Sequence, residues 1–337
     1  MSLDDFIQIY LPAVENELQR IVQLARQPGV EEMYEMLGYH MGWLGEGAGP
    51  QTRGKRIRPL LVLLCASGAG GNWQAALPAA AAVELIHNFS LIHDDIQDQS
   101  PLRHARPTLW ARWGAAQAIN AGDTMFVLGQ MALLQLNETV SGAVAVRAAK
   151  ILQETCLSLT QGQYLDLSYE SRTKLTEEAY WPMVEGKTAA LLAACTRLGA
   201  LAAGADEAIC LAYARFGRFL GLAFQALDDL LGIWGDAALT GKSTESDLVS
   251  GKKSLPVLYA LGRDGAFARR WAQGPVLPDE VGQLAAVLEA EGAKRYTQEQ
   301  AARLTDEALQ ALETAAPQGE AGEALRELAG RLLRRDA

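Results

Sequence analysis

The chain has 337 residues, 49% hydrophobic and 21% charged, with a net charge of −10 and a pI near 5.0. That is the composition of a folded globular protein, long enough for one large domain or two small ones. The acidic balance excludes nucleic acid as a main partner, because phosphate backbones call for basic stripes.

Apolar residues recur at spacings of three and four almost everywhere, and strand-like alternation is scarce. The chain therefore reads as all-α, a single domain over residues 1–337 built as a bundle of ten or more helices around a central cavity. In order the helices are expected at 3–26, 30–44, 56–69, 78–101, 111–136, 139–168, 174–203, 206–235, 253–263, 277–314 and 320–335. Pro78 suits the first turn of the fourth, where a missing N–H costs nothing. Gly and Pro clusters at 45–50, 68–71, 101–107, 235–251 and 274–278 mark the connections. The four cysteines (Cys65, Cys156, Cys195, Cys210) lie scattered in Ala/Leu-rich stretches and read as small buried hydrophobes. No leader peptide opens the chain, and no uncharged apolar run reaches the roughly 18 residues a membrane span needs, so neither a secretion signal nor a transmembrane segment is expected. A cytoplasmic location follows as the default.

The fourth helix carries Asp94-Asp-Ile-Gln-Asp98. Asp94 and Asp98 lie one turn, about 5.4 Å, apart on one face, so their carboxylates repel unless a cation sits between them. The apolar flank at 79–93 is too hydrophobic for a solvated surface helix, and buried carboxylates are normally paired or metal-bound. A hard divalent ion such as Mg²⁺ suits one or two carboxylates and leaves positions for substrate phosphates. A second pair, Asp228-Asp229, follows another apolar helix, with Asp236 eight residues on; taken alone, this pair reads as a solvated helix end. Taken with the first run, it suggests two acidic walls that hold several Mg²⁺ around one diphosphate. Cations accompany both walls. Lys55 and Arg58 stand at a helix start after a Gly-rich loop, Arg103 and Arg106 follow the first run, Lys187 lies in an apolar helix, and Lys242, Lys252 and Lys253 follow the second pair. Gln161, Gln163, Asp166 and Gln225 read as supporting polar groups within apolar helices, and Asp123 as a buried structural carboxylate.

These residues resemble the trans-isoprenyl diphosphate synthases, or polyprenyl synthetases. The likeness runs in order through Gly-Lys-Arg-Ile-Arg-Pro (54–59), Ser-Leu-Ile-His-Asp-Asp-Ile-Gln-Asp (90–98), Arg-Pro-Thr (106–108), Asn-Ala-Gly-Asp (120–123), Gly-Gln-Tyr-Leu-Asp-Leu (162–167), Gly-Lys-Thr (186–188), Gln-Ala-Leu-Asp-Asp (225–229) and Gly-Lys-Lys-Ser-Leu-Pro (251–256). The resemblance implies a homodimeric all-α enzyme that condenses isopentenyl diphosphate with an allylic diphosphate (dimethylallyl, geranyl or farnesyl). By it, Asp94, Asp98 and Asp228, with Asp95 and Asp229 beside them, bind three Mg²⁺. Arg103, Lys187 and Lys242 hold the allylic diphosphate, while Lys55, Arg58, His87, His104 and Lys252 serve substrate binding. Thr188 and Gln225 face the reacting carbons.

Three positions depart from the family pattern. His104 stands where a second arginine is usual, Ala105 replaces a glycine, and Gly232 takes the place of a frequent third aspartate. Phe89, an aromatic five residues before Asp94, with the small Ser90 four before it, resembles the arrangement in makers of C20 (geranylgeranyl) chains; C15 (farnesyl) is the near competitor. Rival readings are a class I terpene cyclase, which needs a single diphosphate site, a metal-dependent phosphohydrolase built on His87, His93 and Asp94, and a non-catalytic partner subunit.

Overall fold

The computed structural model describes residues 1–24, 26–170, 172, 175–235 and 247–333. These are helical almost throughout, with one two-stranded ribbon, Leu102–Arg103 paired antiparallel with Arg106–Pro107. The chain divides into two compact units: Met1–Gln153 with Cys195–Leu211 and Ala316–Leu325, and Glu154–Ala194 with Ala212–Ala315 and Arg326–Ala337.

In the first unit, α1 (Leu3–Leu24) buries Leu3, Phe6, Tyr10, Val14, Leu18, Ile21 and Val22, the apolar stripe of an amphipathic helix. It is followed by α2 (Glu31–His40), α3 (Ile57–Gly68), α4 (Leu77–Gln97), the short α5 (Leu109–Trp113) and α6 (Ala115–Leu134). Helix α4 is nearly all buried from Pro78 to Ile86. The segment Trp73–Gln97 is long and apolar enough to cross a membrane, yet 67% of its most apolar window is buried within the fold. Small residues let α6 approach it closely. A Cβ at Gly122 would lie 2.3 Å from His93 Nε2, and one at Gly129 would lie 3.0 Å from Ile86 Cδ1 and 3.3 Å from the Ala82 carbonyl.

Helix α4 ends earlier than its periodicity suggests, so the aspartate run occupies its last turn. Gln99 turns to φ +51°, its N–H bonds the Ile96 carbonyl and that of Ser100 the Asp95 carbonyl, which is the left-handed closure that satisfies the last carbonyls of a helix. The placement matters electrostatically. The negative end of the helix dipole adds to the repulsion among the carboxylates.

Helix α7 (Gly142–Glu170) leads to the second unit's α8 (Glu177–Val184). The helix expected over 174–203 is not continuous, for a π-turn, Glu185–Ala189, interrupts it before α9 (Ala190–Ala202). Helix α10 (Glu207–Trp234) follows, then α11 (Leu255–Leu261), α12 (Ala266–Trp271), α13 (Val281–Ala290), α14 (Ala293–Ala315) and α15 (Gly319–Leu333). The helix α12 lies where a loop was expected, and the element expected over 277–314 is split at Gly292, φ +87°. Ile233, Leu248, Val257, Phe267, Val276, Leu284 and Leu288 form a core here. All four cysteines are buried and free.

Candidate active site

In the first unit the three aspartates of α4 divide into two kinds. Asp94 is half-buried and Asp98 exposed, whereas Asp95 is buried and gripped by Arg103. The Arg103 Nε lies 3.0 Å from both carboxylate oxygens and Nη2 lies 2.8 Å from Oδ1. Burial pushes the Asp95 carboxyl up against the pull of Arg103. Both long side chains are thereby committed to each other, leaving Asp94 and Asp98 as the pair that shares the accessible face.

Arg103 begins a hairpin whose two-residue turn is His104–Ala105, both at positive φ (+50° and +59°). Mirror-image turns of this kind match the twist of the strands and normally take Asn-Gly or Gly. The two family departures are thus the two turn residues themselves. The strain is held by a clamped base: Arg106 donates to the Tyr39 and Leu44 carbonyls and stacks on the Tyr39 ring at 3.8 Å, while Thr108 and Trp110 donate to the Ser100 carbonyl. His104 is exposed at the tip. Partial burial and the nearby Arg103 lower it from the ordinary histidine range, so it adds less positive charge near neutrality than an arginine.

The start of α3 sorts its cations in the same way. Arg56, left-handed at φ +47°, is buried on Glu15 and Glu84 and is structural. Lys55 is exposed. Arg58 Nη1 lies 3.1 Å from His87 Nε2; since arginine only donates, that nitrogen accepts and His87 is neutral, in keeping with burial and the surrounding arginines driving its pKa well down. His93 packs edge-on against Phe89 at 4.8 Å and lies 3.6 Å from Asp123. Asp123 itself is exposed, not the buried carboxylate its sequence context suggests. Phe89 also meets Phe126 of α6 at 5.1 Å, and Ser90 turns back to the His87 carbonyl at 2.8 Å.

In the second unit the π-turn carries Lys187 and Thr188. Glycines admit it on two sides. A Cβ at Gly162 of α7 would lie 2.2 Å from Lys187 N, and one at Gly221 of α10 would lie 2.6 Å from Ala189 Cα. Single π-turns recur at functional sites because they re-aim side chains. Lys187 Nζ meets Asp166 at 2.5 Å, and Thr188 bonds Gln225 at 3.0 Å. Asp228 is half-buried, while Asp229 is fully enclosed, accepting from Tyr180, Gln225 and the Leu255 N–H. Lys252 lies 3.9 Å from Asp229 and 3.7 Å from Asp247; burial pulls its pKa down, but the carboxylates of Asp229, Asp247, Asp228 and Asp166 outweigh that and raise it. Gly232 has a physical reason: a Cβ there would lie 2.2 Å from Asp247 Oδ2. Lys242 and Asp236 fall outside the described residues. Asp166, Lys187, Thr188, Gln225, Asp229 and Lys252 line a small cavity with Tyr180. Tyr180 and Phe126 carry no motif signal, and nothing short of the packing singles them out.

The structure is that of the all-α isoprenoid synthases: it superposes on the polyprenyl synthetase of Streptomyces coelicolor A3(2) with a TM-score of 0.88 at 36% identity, covering 98% of this chain and 99% of that one. Residues 49–289 match the family described as Polyprenyl synthetase. The chain is 42% identical over 281 residues to the (2E,6E)-farnesyl diphosphate synthase of Mycobacterium tuberculosis (strain ATCC 25618 / H37Rv), 80% of this chain and 77% of that protein. It is 40% identical over 307 residues to the geranylgeranyl diphosphate synthase of the same strain, 89% and 85% of the two chains. The chain belongs to the polyprenyl synthetase family.

Proposed function

We propose that this chain is a prenyltransferase that condenses isopentenyl diphosphate with an allylic diphosphate to give a linear all-trans prenyl diphosphate, C20 in the first place and C15 in the second. The observation that carries the reading is the division of labour at the end of α4, where Asp95 is committed to Arg103 and Asp94 and Asp98 share an accessible face one turn apart. Among the described residues, no three carboxylate, imidazole or thiol side chains already converge on a metal position. The donor set nevertheless fits Mg²⁺, a hard ion that takes one or two carboxylates and completes its shell with water and phosphate oxygens. Asp94, Asp98 and Asp228 would hold three such ions. When bound, they supply neutralising charge to the leaving diphosphate.

The chain's own groups do the rest. Lys187 and Arg103, with Lys242, take the allylic diphosphate, and Lys55, Arg58 and His104 take that of isopentenyl diphosphate. His87 orients Arg58 by accepting its N–H, and Lys252 holds Asp229 and Asp247 together. As the allylic C–O bond breaks, the alkene of isopentenyl diphosphate attacks the cation, and the departed diphosphate takes the proton lost from the adduct. Thr188 and Gln225 stabilise the developing charge with fixed dipoles, and apolar walls keep water from quenching it. Phe89 and Phe126, ring against ring, close the space below Asp94 and set the product's length.

We read the chain as one synthase domain, since the family match takes in segments of both units. Exposed Val127, Met131 and Leu134 form a stripe on α6 that suits a second copy in a homodimer. The buried free cysteines suit the reducing cytoplasm. The rivals fare worse. A cyclase leaves Lys55, Arg58 and their helix start without a task, and a phosphohydrolase would need His87 and His93, which are engaged with Arg58 and with Phe89 and Asp123. Incubation with Mg²⁺, labelled isopentenyl diphosphate and each allylic primer tests the reading. Incorporation is expected with wild type and not with Asp94→Ala; no incorporation with any primer refutes it.

A further inference from the structure

Four polar side chains, distant in sequence, form one hydrogen-bonded line in the second unit. The Tyr180 hydroxyl donates to Asp229 Oδ2 at 2.7 Å, Gln225 Nε2 donates to Asp229 Oδ1 at 3.0 Å, and Thr188 Oγ1 donates to Gln225 Oε1 at 3.0 Å. The Leu255 N–H adds a donor to Oδ2 at 2.9 Å, and Lys252 Nζ lies 3.9 Å from Oδ1.

The donor and acceptor inventory dictates the direction of this line. A carboxylate only accepts, so Gln225 must turn its NH₂ to Asp229 and its carbonyl oxygen to Thr188. That oxygen cannot donate, so Thr188 gives it the hydroxyl proton. What remains on the Thr188 oxygen is lone-pair density. If Gln225 flipped, its carbonyl would face a carboxylate and an N–H would face Thr188, reversing the polarity.

We infer that Tyr180 is a positioning residue for the condensation: through Asp229 it locks the Gln225 amide so that Thr188 presents an electron-rich oxygen to the reacting carbons. The inference rests on the proposed roles of Thr188 and Gln225. A dipole fixed before the reaction stabilises a developing cation without reorganising. Tyr180 and Asp229 are each 1% exposed, so Tyr180 acts by way of Asp229 and not by touching substrate. The two aspartates of the second motif then differ in task, as those of the first do: Asp228 is kept for the metal, and Asp229 organises its neighbours.

Tyr180→Phe removes one hydroxyl and keeps the ring. Steady-state kinetics of Tyr180→Phe, Thr188→Val and the double variant test the line. Loss of one hydrogen bond to a charged group should lower kcat about 5–10-fold in Tyr180→Phe, with KM for both diphosphates within about twofold of wild type. Residues acting through one line are non-additive, so the double variant should lose no more than Thr188→Val alone. Losses that multiply, or an unchanged kcat in Tyr180→Phe, would overturn the inference. The Gln225 side-chain amide, identified in ¹⁵N NMR spectra through Gln225→Glu, reads the line without turnover. Its two protons should interchange faster in Tyr180→Phe than in wild type, and equal rates overturn the inference. Wild type that incorporates no isopentenyl diphosphate sinks the proposed activity, and the amide measurement then decides the line by itself.

Discussion

Replacing Gly162 by alanine probes whether the π-turn is seated as tightly as its geometry requires. The added Cβ would lie 2.2 Å from Lys187 N, 2.6 Å from Gly186 C and 2.9 Å from Gly186 Cα. Ordinary carbon contacts begin near 3.5 Å, so α7 and the π-turn must part by roughly 1 Å. The opposing atoms are backbone, and no rotamer relieves them. Overpacking of this kind costs about 1–3 kcal/mol, a fall in Tm of about 2–6 °C for a chain of this size. The same shift carries Lys187 and Thr188 with it, and a misplacement of about 1 Å can cost on the order of 100-fold in rate. Gly282→Ala is the control, because a Cβ there meets nothing within 4 Å and the helical glycine-to-alanine change should gain about 0.5 kcal/mol. Thermal melts and steady-state rates of both variants are the assay. A Gly162→Ala protein with wild-type Tm and kcat would refute the tight seating of the turn.

Ala105→Gly should stabilise the protein by about 1 kcal/mol, because alanine at φ +59° pays for a left-handed backbone that glycine adopts freely; an unchanged melting point tells against strain in that turn. His40 makes the fold acid-labile. Burial, helped by Arg103 and Arg56, holds it down at about 3 against an ordinary 6.5. The unfolded chain therefore takes up a proton that the folded chain refuses, so this contribution is full above pH 6.5 and declines by about 1.4 kcal/mol per pH unit below it. Urea titrations at pH 7 and 5 should show that loss in wild type and a smaller one in His40→Asn, and parallel losses would count against it. Phe89→Ala and Phe126→Ala should each lengthen the product, read by chromatographic sizing, and products of unchanged length would remove that aromatic pair as the floor.

Much of this molecule can be read from local order. Apolar residues at three- and four-residue spacing make helices whatever surrounds them, so the all-α class, the aspartate run one turn apart at Asp94 and Asp98, and the glycine-led starts of the cationic segments follow from the chain alone. What each charged group does with its side chain depends on partners elsewhere. Asp95 and Asp229 look like their neighbours Asp94 and Asp228 in sequence, yet one meets Arg103 and the other Tyr180, 49 residues away. The π-turn under Lys187 exists because Gly162 and Gly221 leave room on two sides, and Phe126 matters because α6 lays it against Phe89. Helical periodicity is a property of a few consecutive residues. The direction in which a carboxylate points, and whether it is left for a ligand, is decided by packing between segments that only the folded chain brings together.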